Sequence, residues 1–335
     1  MKKLKVMLLL AGLVFLTLPL AAKGKSETDL QKPLKIGISK IVVHPALDAI
    51  EKGMRDYLDQ MGIVATYDVQ SANGDVAAAA QIAQKFKADN VDLALGIATP
   101  TTQALANVLK TTPIIFGGIT DPLESGLVPT YESNEGNVGG VSDKSPVYEQ
   151  VKLFAELTKA RTIGIVFSSG EANGVQLRNM VGDACKKLGL NFVDAGISNS
   201  AEAKSALLAI AKRIDALYIG TDNAVVSAIA SLNEVCVDEK IPFFTADPTS
   251  AVDLDFFMVW GFDYYKHGLK AGEAAYKVLT KEKTAGEIGT IFTTDPQDFE
   301  LWFNLDVAKN LSITIPDQLI ETASVIVENG KIIRK

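Results

Sequence analysis

The chain contains the same pattern twice, and this internal repeat limits the folds that it can adopt. Residues 92–122 and 215–248 each contain a short apolar run, a polar turn, a helical stretch, a second apolar run and a closing Asp-Pro. The matched positions are Asp92 and Asp215, Gly96 and Gly220, Pro113 and Pro242, and Asp121-Pro122 and Asp247-Pro248. Short apolar runs that alternate with helical periods are typical of a parallel sheet. The repeat therefore predicts two similar α/β lobes.

The segments before each copy extend it into a doubly wound lobe. Residues 34–39 and 64–69 predict strands before the first copy, and residues 162–167 and 192–197 predict strands before the second. Helical periods separate these strands, so the crossovers should be right-handed. We predict an α/β fold with two doubly wound parallel-sheet lobes joined by a hinge.

The order of elements after the second copy predicts that both lobes are discontinuous. A helix that begins at residues 263–265 is expected to return to the first lobe, and residues 290–293 and 324–327 are expected to form late strands. The expected first lobe is residues 33–141 plus about 262–288, and the expected second lobe is residues 142–261 plus about 289–335.

Residues 1–24 predict a cleaved signal peptide. Three lysines precede an apolar run at residues 6–22, and small residues follow it. A membrane anchor is the alternative, since this run is near the lower length limit for a span, but Pro19 and the extreme N-terminal position favour a signal. No cysteine follows the run, so a lipoprotein anchor is not available. We expect export to the periplasm.

Composition argues against several classes of function. The net charge of −7 disfavours a nucleic-acid surface, which needs a basic patch. With two histidines and two cysteines a metal or catalytic cluster is hard to build, and no P-loop, G-x-S-x-G or G-x-G-x-x-G motif is present. We expect no enzyme activity, no metal and no cofactor. Cys185 and Cys236 could form a disulfide in an exported protein, or each could fill a small buried apolar slot.

Polar side chains gather in the turns that follow the predicted strands. In open α/β sheets ligands bind beyond the carboxyl ends of the strands, where these turns lie. Helix capping is the alternative role at each single position. Threonine hydroxyls and helix N-termini can hold a carboxylate, and aspartates can pair with an ammonium, so the chemistry suits a small zwitterion. The candidate ligand-binding residues are Ser39, His44, Thr99, Thr101, Thr120, Asp121, Ser169, Asn173, Asp222, Asn223 and Asp247. His267 is expected at the surface.

Eight short motifs resemble a family of bacterial ABC-transporter substrate-binding proteins associated with tryptophan or tyrosine uptake. They are His44-Pro45-Ala46-Leu47-Asp48, Asn73-Gly74-Asp75, Ala98-Thr99-Pro100, Thr120-Asp121-Pro122, Gly139-Gly140-Val141-Ser142-Asp143, Ser169-Gly170-Glu171-Ala172-Asn173, Thr221-Asp222-Asn223 and Gly261-Phe262-Asp263-Tyr264-Tyr265. The likeness covers about residues 34–316. One departure is the stretch Pro248-Thr249-Ser250-Ala251-Val252, where the family pattern is more acidic and contains glycine.

The resemblance implies a type I periplasmic-binding-protein fold with three hinge crossings that closes on its ligand. It also implies which residues line the cleft. Thr99, Thr101, Thr120 and Asp121 would line the first lobe's side, and Asn173, Asp222, Asn223 and Asp247 would line the second lobe's side.

The expected function is an exported, monomeric receptor that binds a small amino acid, tryptophan or tyrosine, for import through an ABC permease. A sensor that presents its closed form to a membrane signalling protein is the alternative from another class. The sequence disfavours an enzyme on the same architecture. The signal peptide and the lack of a basic helix-turn-helix disfavour a transcriptional regulator.

Overall fold

The structure is a computed structural model that describes residues 33–335. The predicted signal peptide at residues 1–24 lies outside the described residues. Within residues 33–335, no helix combines the length and the apolar character needed to cross a bilayer.

Strands and helices alternate along most of the described residues. The strands are β1 (Leu34–Lys40), β2 (Ala65–Ser71), β3 (Leu93–Ile97), β4 (Ile114–Ile119), β5 (Val138–Ser142), β6 (Thr162–Ser168), β7 (Asn191–Ile197), β8 (Ala216–Ile219), β9 (Phe243–Thr245), β10 (Met258–Phe262), β11 (Thr290–Phe292), β12 (Phe299–Asn304), β13 (Val325–Glu328) and β14 (Lys331–Arg334). The α-helices are α1 (Pro45–Gln60), α2 (Val76–Ala88), α3 (Thr99–Val108), α4 (Val147–Thr158), α5 (Ala172–Leu188), α6 (Ala203–Ile210), α7 (Asn223–Val226), α8 (Ile229–Glu239), α9 (Tyr264–Leu279), α10 (Ala285–Ile288), α11 (Leu305–Asn310) and α12 (Asp317–Thr322).

The strands form two sheets, one for each lobe. The first has the order β11-β5-β4-β3-β1-β2, and all its neighbouring strands are parallel. The second has the order β14-β13-β12-β10-β9-β8-β6-β7. It is parallel from β7 to β10, and the pairs β10–β12 and β13–β14 are antiparallel. The expected fold of two α/β lobes with doubly wound parallel-sheet cores is confirmed.

The two copies of the repeat make the same backbone contacts. Asp92 Oδ2 accepts the backbone N–H of Lys35 at 2.7 Å. Asp215 Oδ2 accepts the backbone N–H groups of Arg161 and Thr162 at 2.9 and 2.8 Å. In each copy the carboxylate thus fixes the start of a strand against its neighbour and satisfies N–H groups at the sheet edge.

Helices α1 and α9 pack against each other in the first lobe at a distance that only glycine allows. A Cβ on Gly53 would lie 2.4 Å from the carbonyl oxygen of Tyr265, and a Cβ on Gly268 would lie 2.4 Å from that of Ile50. His267, the neighbour of Gly268 on α9, faces β4 and β5 and is 1% exposed, so its expected surface position is wrong. Burial lowers the pKa of His267 to about 4, which keeps the imidazole neutral in the core.

The chain passes between the lobes three times. The crossings follow β5, β10 and β11, since α4 packs in the core of the second lobe and α9 in that of the first. Residues from about 289 onward were expected in the second lobe, but β11 pairs with β5 in the first sheet. The third crossing therefore lies at residues 293–298, because β11 forms the edge strand of the first sheet before the chain leaves this lobe.

Both cysteine thiols are free and buried. Cys185 lies in the apolar cluster on one face of the second sheet, and Cys236 lies in the cluster on the other. Burial raises the pKa of the Cys185 thiol to about 11 and that of Cys236 to about 12. Each thiol therefore acts as a small apolar group.

Candidate functional site

Side chains from both lobes and from two of the crossings line a small cavity between the lobes. The lining residues are His44, Ala46, Leu47, Gly118, Asp143, Asn173, Thr221, Asp222, Asn223, Val226, Asp247 and Tyr264. We call this space the cleft. Its volume is ≈ 30 Å³, roughly the room that one water molecule needs. The lobes are therefore closely apposed in this structure.

Five of the expected ligand-binding residues come together at the cleft, and six do not line it. The five are His44, Asn173, Asp222, Asn223 and Asp247, and the six are Ser39, Thr99, Thr101, Thr120, Asp121 and Ser169. Sequence reasoning missed Asp143 and Tyr264 in particular. Asp143 directly follows β5, and Tyr264 lies two residues after β10, so both lie where the chain leaves a strand to cross between the lobes. This position was the signal that could have identified them.

The hydroxyl-bearing candidates of the first lobe differ in their hydrogen bonding. Thr101 Oγ1 donates to the carbonyl of Ile97 at 2.8 Å, so its hydroxyl is satisfied within the fold. The hydroxyl oxygens of Ser39 and Thr99 are buried and have no partner among the described residues. Thr120 is also buried. Ser39 and Thr99 thus have free hydrogen-bonding capacity next to the N-terminus of α3.

In the second lobe, Ser169 is exposed, and its Oγ donates to the carbonyl of Ile197 at 3.0 Å. It therefore serves the turn between β6 and α5 in this arrangement.

Asp121 holds a turn rather than facing the cleft. Its Oδ1 accepts the backbone N–H groups of Leu123 and Glu124, and its carboxylate accepts the Tyr131 hydroxyl at 2.8 and 2.9 Å and an ammonium N–H of Lys144. Burial alone would raise the pKa of Asp121, but the hydrogen bonds from Lys144, Glu124 and Tyr131 outweigh it and lower that pKa below its usual value.

Replacement of Asp121 by Ala should lower the free energy of unfolding by about 2–3 kcal/mol, because four donors, in hydrogen bonds that are partly buried, lose their acceptor. Urea unfolding at neutral pH measures this change. Since the pKa is lowered in the folded state, the contribution is full above the unfolded pKa of roughly 3.9 and is lost as the pH falls below it. Glu234→Ala removes an exposed ion pair with Lys204 and should cost less than about 1 kcal/mol. Equal effects of the two variants would contradict this role.

The second lobe contributes a buried carboxylate that caps α7. Asp222 Oδ2 accepts the backbone N–H of Ser168 at 2.6 Å, and Oδ1 accepts that of Val225 at 3.2 Å. Burial, reinforced by the nearby Glu171, raises the pKa of Asp222 to about 7. A Cβ on Gly174 would lie 2.5 Å from Asp222 Oδ2, so glycine is needed there for the carboxylate to approach.

Two amides lie beside this carboxylate. Asn223 Nδ2 donates to Glu171 Oε2 at 2.6 Å, and Asn173 Nδ2 donates to the carbonyl of Thr221 at 3.3 Å. Asn173 Oδ1 and Thr221 Oγ1 are buried and have no partner among residues 33–335. The second lobe's side of the cleft therefore has an amide oxygen and a hydroxyl that are free to bind a ligand.

The crossings contribute a second buried carboxyl group. Asp143 is 3% exposed, and its Oδ2 accepts the Tyr264 hydroxyl at 3.2 Å. Its Oδ1 is buried without a partner in the described part of the chain. Burial raises the pKa of Asp143 to about 7, with a further contribution from Asp247 and against the hydrogen bond from Tyr264. A cation at Oδ1 would favour the ionised form.

A chain of hydrogen bonds joins the two lobes across the mouth of the cleft. His44 Nδ1 accepts the backbone N–H of Ala46 at 3.2 Å, so Nε2 carries the proton of the neutral ring. Nε2 donates to Ser250 Oγ at 2.7 Å, and this hydroxyl donates to Asp247 Oδ2. The arrangement is not a catalytic triad, because Ser250 and Asp247 both lie on the Nε2 side of the His44 ring, whereas Nδ1 bonds to the backbone.

Loss of this chain should open the lobes. The pKa of His44 is lowered, mainly by burial and against the attraction of Asp247 and Asp48, so protonation opposes the closed arrangement. The contribution of His44 to closure is thus full above roughly pH 6.5 and is lost as the pH falls further, whereas the raised pKa values of Asp143 and Asp222 act in the opposite sense. Ser250→Ala should weaken closure by about 1 kcal/mol. Small-angle X-ray scattering at neutral pH should show a larger radius of gyration for this variant. Ser205→Ala, on α6, is the control, and an unchanged radius in Ser250→Ala would refute the role.

The charge of the cleft favours a cation. Asp143, Asp222 and Asp247 line it, and none of its lining residues in the described chain is a lysine or arginine. No group of three or more His, Cys, Asp or Glu side chains in residues 33–335 is arranged to hold a metal ion. The unpartnered oxygens of Asp143, Asn173 and Thr221 are suited to an ammonium group, which donates several hydrogen bonds from one nitrogen.

Comparison with known proteins shows the family to which this chain is similar. The family model of the ABC transporter substrate binding protein matches residues 35–327. The "Tyrosine-binding protein" of Clostridioides difficile strain R20291 is 36% identical over 298 residues, which cover 88% of this chain and 85% of the relative.

Two solved structures share the fold over most of their length. The ABC domain in complex with L-Trp from Streptococcus pneumoniae has 28% identity and a TM-score of 0.83, and the match covers 88% of this chain and all of that one. The ligand-free, open structure of a substrate-binding protein with adhesive properties from Clostridium difficile has 32% identity and a TM-score of 0.63, and the match covers 84% and 96%. The chain described here belongs to the ABC transporter substrate binding protein family, whose members bind substrate and are not enzymes.

Proposed function

We propose that this chain is an exported receptor that binds an aromatic amino acid, tyrosine or tryptophan, and delivers it to an ABC permease. The observation that carries the proposal is the set of unpartnered acceptor oxygens at the cleft. Asp143 Oδ1, Asn173 Oδ1 and Thr221 Oγ1 are buried and unpaired in the described residues. A buried acceptor without a donor costs stability, so these atoms are suited to receive the ammonium group of the ligand.

The ligand's carboxylate is assigned to the N-terminus of α3. The N-cap residue Ala98 provides no side-chain hydrogen bond, so the first N–H groups of this helix lack a side-chain cap. The hydroxyls of Ser39 and Thr99, also without partners in the described chain, lie at this end of the sheet. Helix N-termini favour anions through their N–H groups and dipole. Ser39 and Thr99 do not line the cleft in the closed arrangement. The proposed contact with the ligand's carboxylate therefore requires the lobes to shift relative to each other.

The relatives support the aromatic class and the closed state. One is named for tyrosine binding, and one solved structure contains L-Trp. The TM-score is 0.83 with the L-Trp complex and 0.63 with the ligand-free, open structure, although the identity is higher with the latter. This order supports a closed arrangement of lobes here. A cleft of ≈ 30 Å³ cannot admit an aromatic amino acid, so the proposed ligand enters when the lobes separate.

A thermal-shift screen against the twenty amino acids tests the ligand class. The mature protein is purified through denaturation to remove copurified ligand and then refolded. A ligand at 100 times its dissociation constant adds about 2.7 kcal/mol to stability, and a shift of a few degrees with tyrosine or tryptophan is expected. No shift with any amino acid would sink the aromatic-ligand proposal and leave the family membership intact.

Uptake is tested separately from binding. Deletion of the gene should abolish uptake of labelled tyrosine or tryptophan at micromolar concentration, and plasmid-borne protein should restore it. Normal uptake in the deletion strain would favour the sensor function instead. Cell fractionation tests export, and light scattering of the purified protein tests the expected monomer.

A further inference from the structure

A second cavity lies on the crossings between the lobes and shares no lining residue with the cleft. Its volume is ≈ 750 Å³, within the range of about 300–1,000 Å³ that is usual for small-molecule sites. Two of the three crossings contribute to it, through Lys144 and Pro146 and through Thr293, and Trp260 contributes from β10, the strand that leads into the other crossing. We call it the crossing cavity. Asp143 faces the cleft, and the next residue, Lys144, lines the crossing cavity, so the first crossing separates the two spaces.

Half-buried apolar side chains form the floor of the crossing cavity. Trp260 on β10 and Leu301 on β12 are directly opposed in the antiparallel pair, and Phe299 lies two residues before Leu301 on the same strand. Side chains at such positions project from the same face of a sheet. Together they offer an aromatic ring a flat apolar surface.

Among the described residues, one buried side-chain polar atom in the lining has no hydrogen-bond partner. Thr293 is 6% exposed, and its Oγ1 makes no hydrogen bond within the described residues. A buried hydroxyl is normally satisfied, since leaving it unpaired costs free energy. Because Thr293 lines the crossing cavity, a bound molecule can supply the missing partner.

The charge of the crossing cavity is opposite in character to that of the cleft. Lys144 is its only ionisable lining residue in the described chain, whereas three aspartates line the cleft. Lys144 Nζ donates to Asp121 and, at 3.4 Å, to the Tyr131 hydroxyl, which leaves one N–H of the ammonium for a ligand. With no carboxylate in the lining, a ligand ammonium would be desolvated without a counter-ion. The cavity therefore selects against cations.

We propose that the crossing cavity is a second binding site, which takes a small aromatic carboxylic acid that has no ammonium group. The ring packs on Trp260, Phe299 and Leu301, and the polar group of the ligand takes up the free hydrogen-bonding capacity of Thr293. The ligand stabilises the lobe arrangement described here, because it contacts residues of two crossings and of β10, the strand that leads into the other crossing.

Isothermal titration of the mature protein with two probes tests the site. Indole-3-propionate and tryptamine carry the same ring with opposite charges. The acid should bind with a submillimolar dissociation constant, and at this site the amine should bind at least about tenfold more weakly. Amine that binds in the cleft instead is recognised because a substitution in the crossing cavity does not affect it. No binding of the acid at millimolar concentration, or binding of the amine that Leu301→Trp weakens as much as binding of the acid, would overturn the proposal.

Three variants locate the bound acid. Leu301→Trp places a bulky side chain where the ring of the ligand packs and should weaken binding of indole-3-propionate at least about tenfold. Thr293→Val keeps the volume, removes only the hydroxyl and should weaken binding about fivefold. Asn173→Ala, in the cleft, should leave the affinity for this probe unchanged. Circular dichroism and the unfolding midpoint check that each variant is folded. If Asn173→Ala removes binding and Thr293→Val does not, the acid lies in the cleft and the second site is refuted.

Discussion

Replacement of Asp143 by Asn should lower the affinity for tyrosine or tryptophan by about 30- to 300-fold, or about 2–3.4 kcal/mol. The free Oδ1 of this residue is buried at the cleft, and the proposed ligand ammonium would be its counter-ion. Asparagine keeps an oxygen that can accept the Tyr264 hydroxyl and removes only the charge. Titration calorimetry of the refolded proteins measures the difference. An affinity change below about threefold would place the ammonium elsewhere.

The pH profile identifies the charge that is lost. The pKa of Asp143 is raised to about 7 by burial, so the free carboxyl is mostly protonated at about pH 6. A bound ammonium favours the ionised form, so the affinity of the native protein should rise between about pH 6 and about pH 8. In Asp143→Asn this part of the rise disappears. The pKa of Asp222 is also raised to about 7, and because Asp222 is present in both proteins, the difference between the two profiles isolates Asp143.

Stability of the ligand-free protein provides the control for Asp143→Asn. The folded state holds the Asp143 proton more firmly than the unfolded state, so stability falls as the pH rises from roughly 4 to about 7. Above that range the native protein carries the full cost of a buried charge. The variant should therefore be at least as stable as the native protein at pH 8 in urea unfolding. A clearly less stable variant would indicate that Asp143 is a structural partner of Tyr264 instead.

Gly268→Ala should lower the free energy of unfolding by about 3 kcal/mol, because the new methyl group would overlap the backbone of the helix that packs against it. The new Cβ would lie 2.4 Å from the carbonyl oxygen of Ile50 and 2.9 Å from its Cα. Both are backbone atoms of α1 and cannot rotate away, so α1 and α9 must separate and leave voids beside the first sheet. Urea unfolding measures the loss.

Gly182→Ala is the matched control, since Gly182 also lies within a long helix, α5. Its Cβ would lie 3.2 Å from a ring carbon of Phe192, a side chain that can shift. The gain in helix propensity, up to about 1 kcal/mol, offsets this contact. Similar losses in the two variants would mean that the helix crossing does not depend on glycine.

Much of the fold could be predicted from the sequence, because each copy of the repeat contains the strand–helix–strand pattern of one lobe. Asp92 and Asp215 make equivalent contacts with the start of the first strand of each lobe, β1 and β6. The edge strands were harder to assign. β11 has three residues, and nothing in so short a run indicates which sheet it joins. His267 was misplaced because a histidine in an amphipathic helix is compatible with either face until the packing of α9 is known.

The candidate site was easier to predict where it follows parallel strands than where it lies on a crossing. Asn173, Asp222 and Asp247 meet at the cleft because the carboxyl ends of neighbouring parallel strands share an edge. Asp143 lies on the first crossing, directly after β5, and lines the cleft from there. The binding role of each of these residues stays a prediction that the variants above would test.

The late position of α9 in the chain affects how the protein can fold during synthesis. Ile50 and Met54 on α1 become buried against a helix that begins more than two hundred residues later, after most of the second lobe. A nascent chain that ends before residue 264 therefore exposes this apolar face, however complete its sheet strands are. The two lobes are similar in architecture but thus differ in when they can fold during synthesis. Strands β6 to β9 can assemble on the ribosome before the first lobe has its last helix. Early termination within the second lobe would yield an aggregation-prone fragment rather than a folded first lobe.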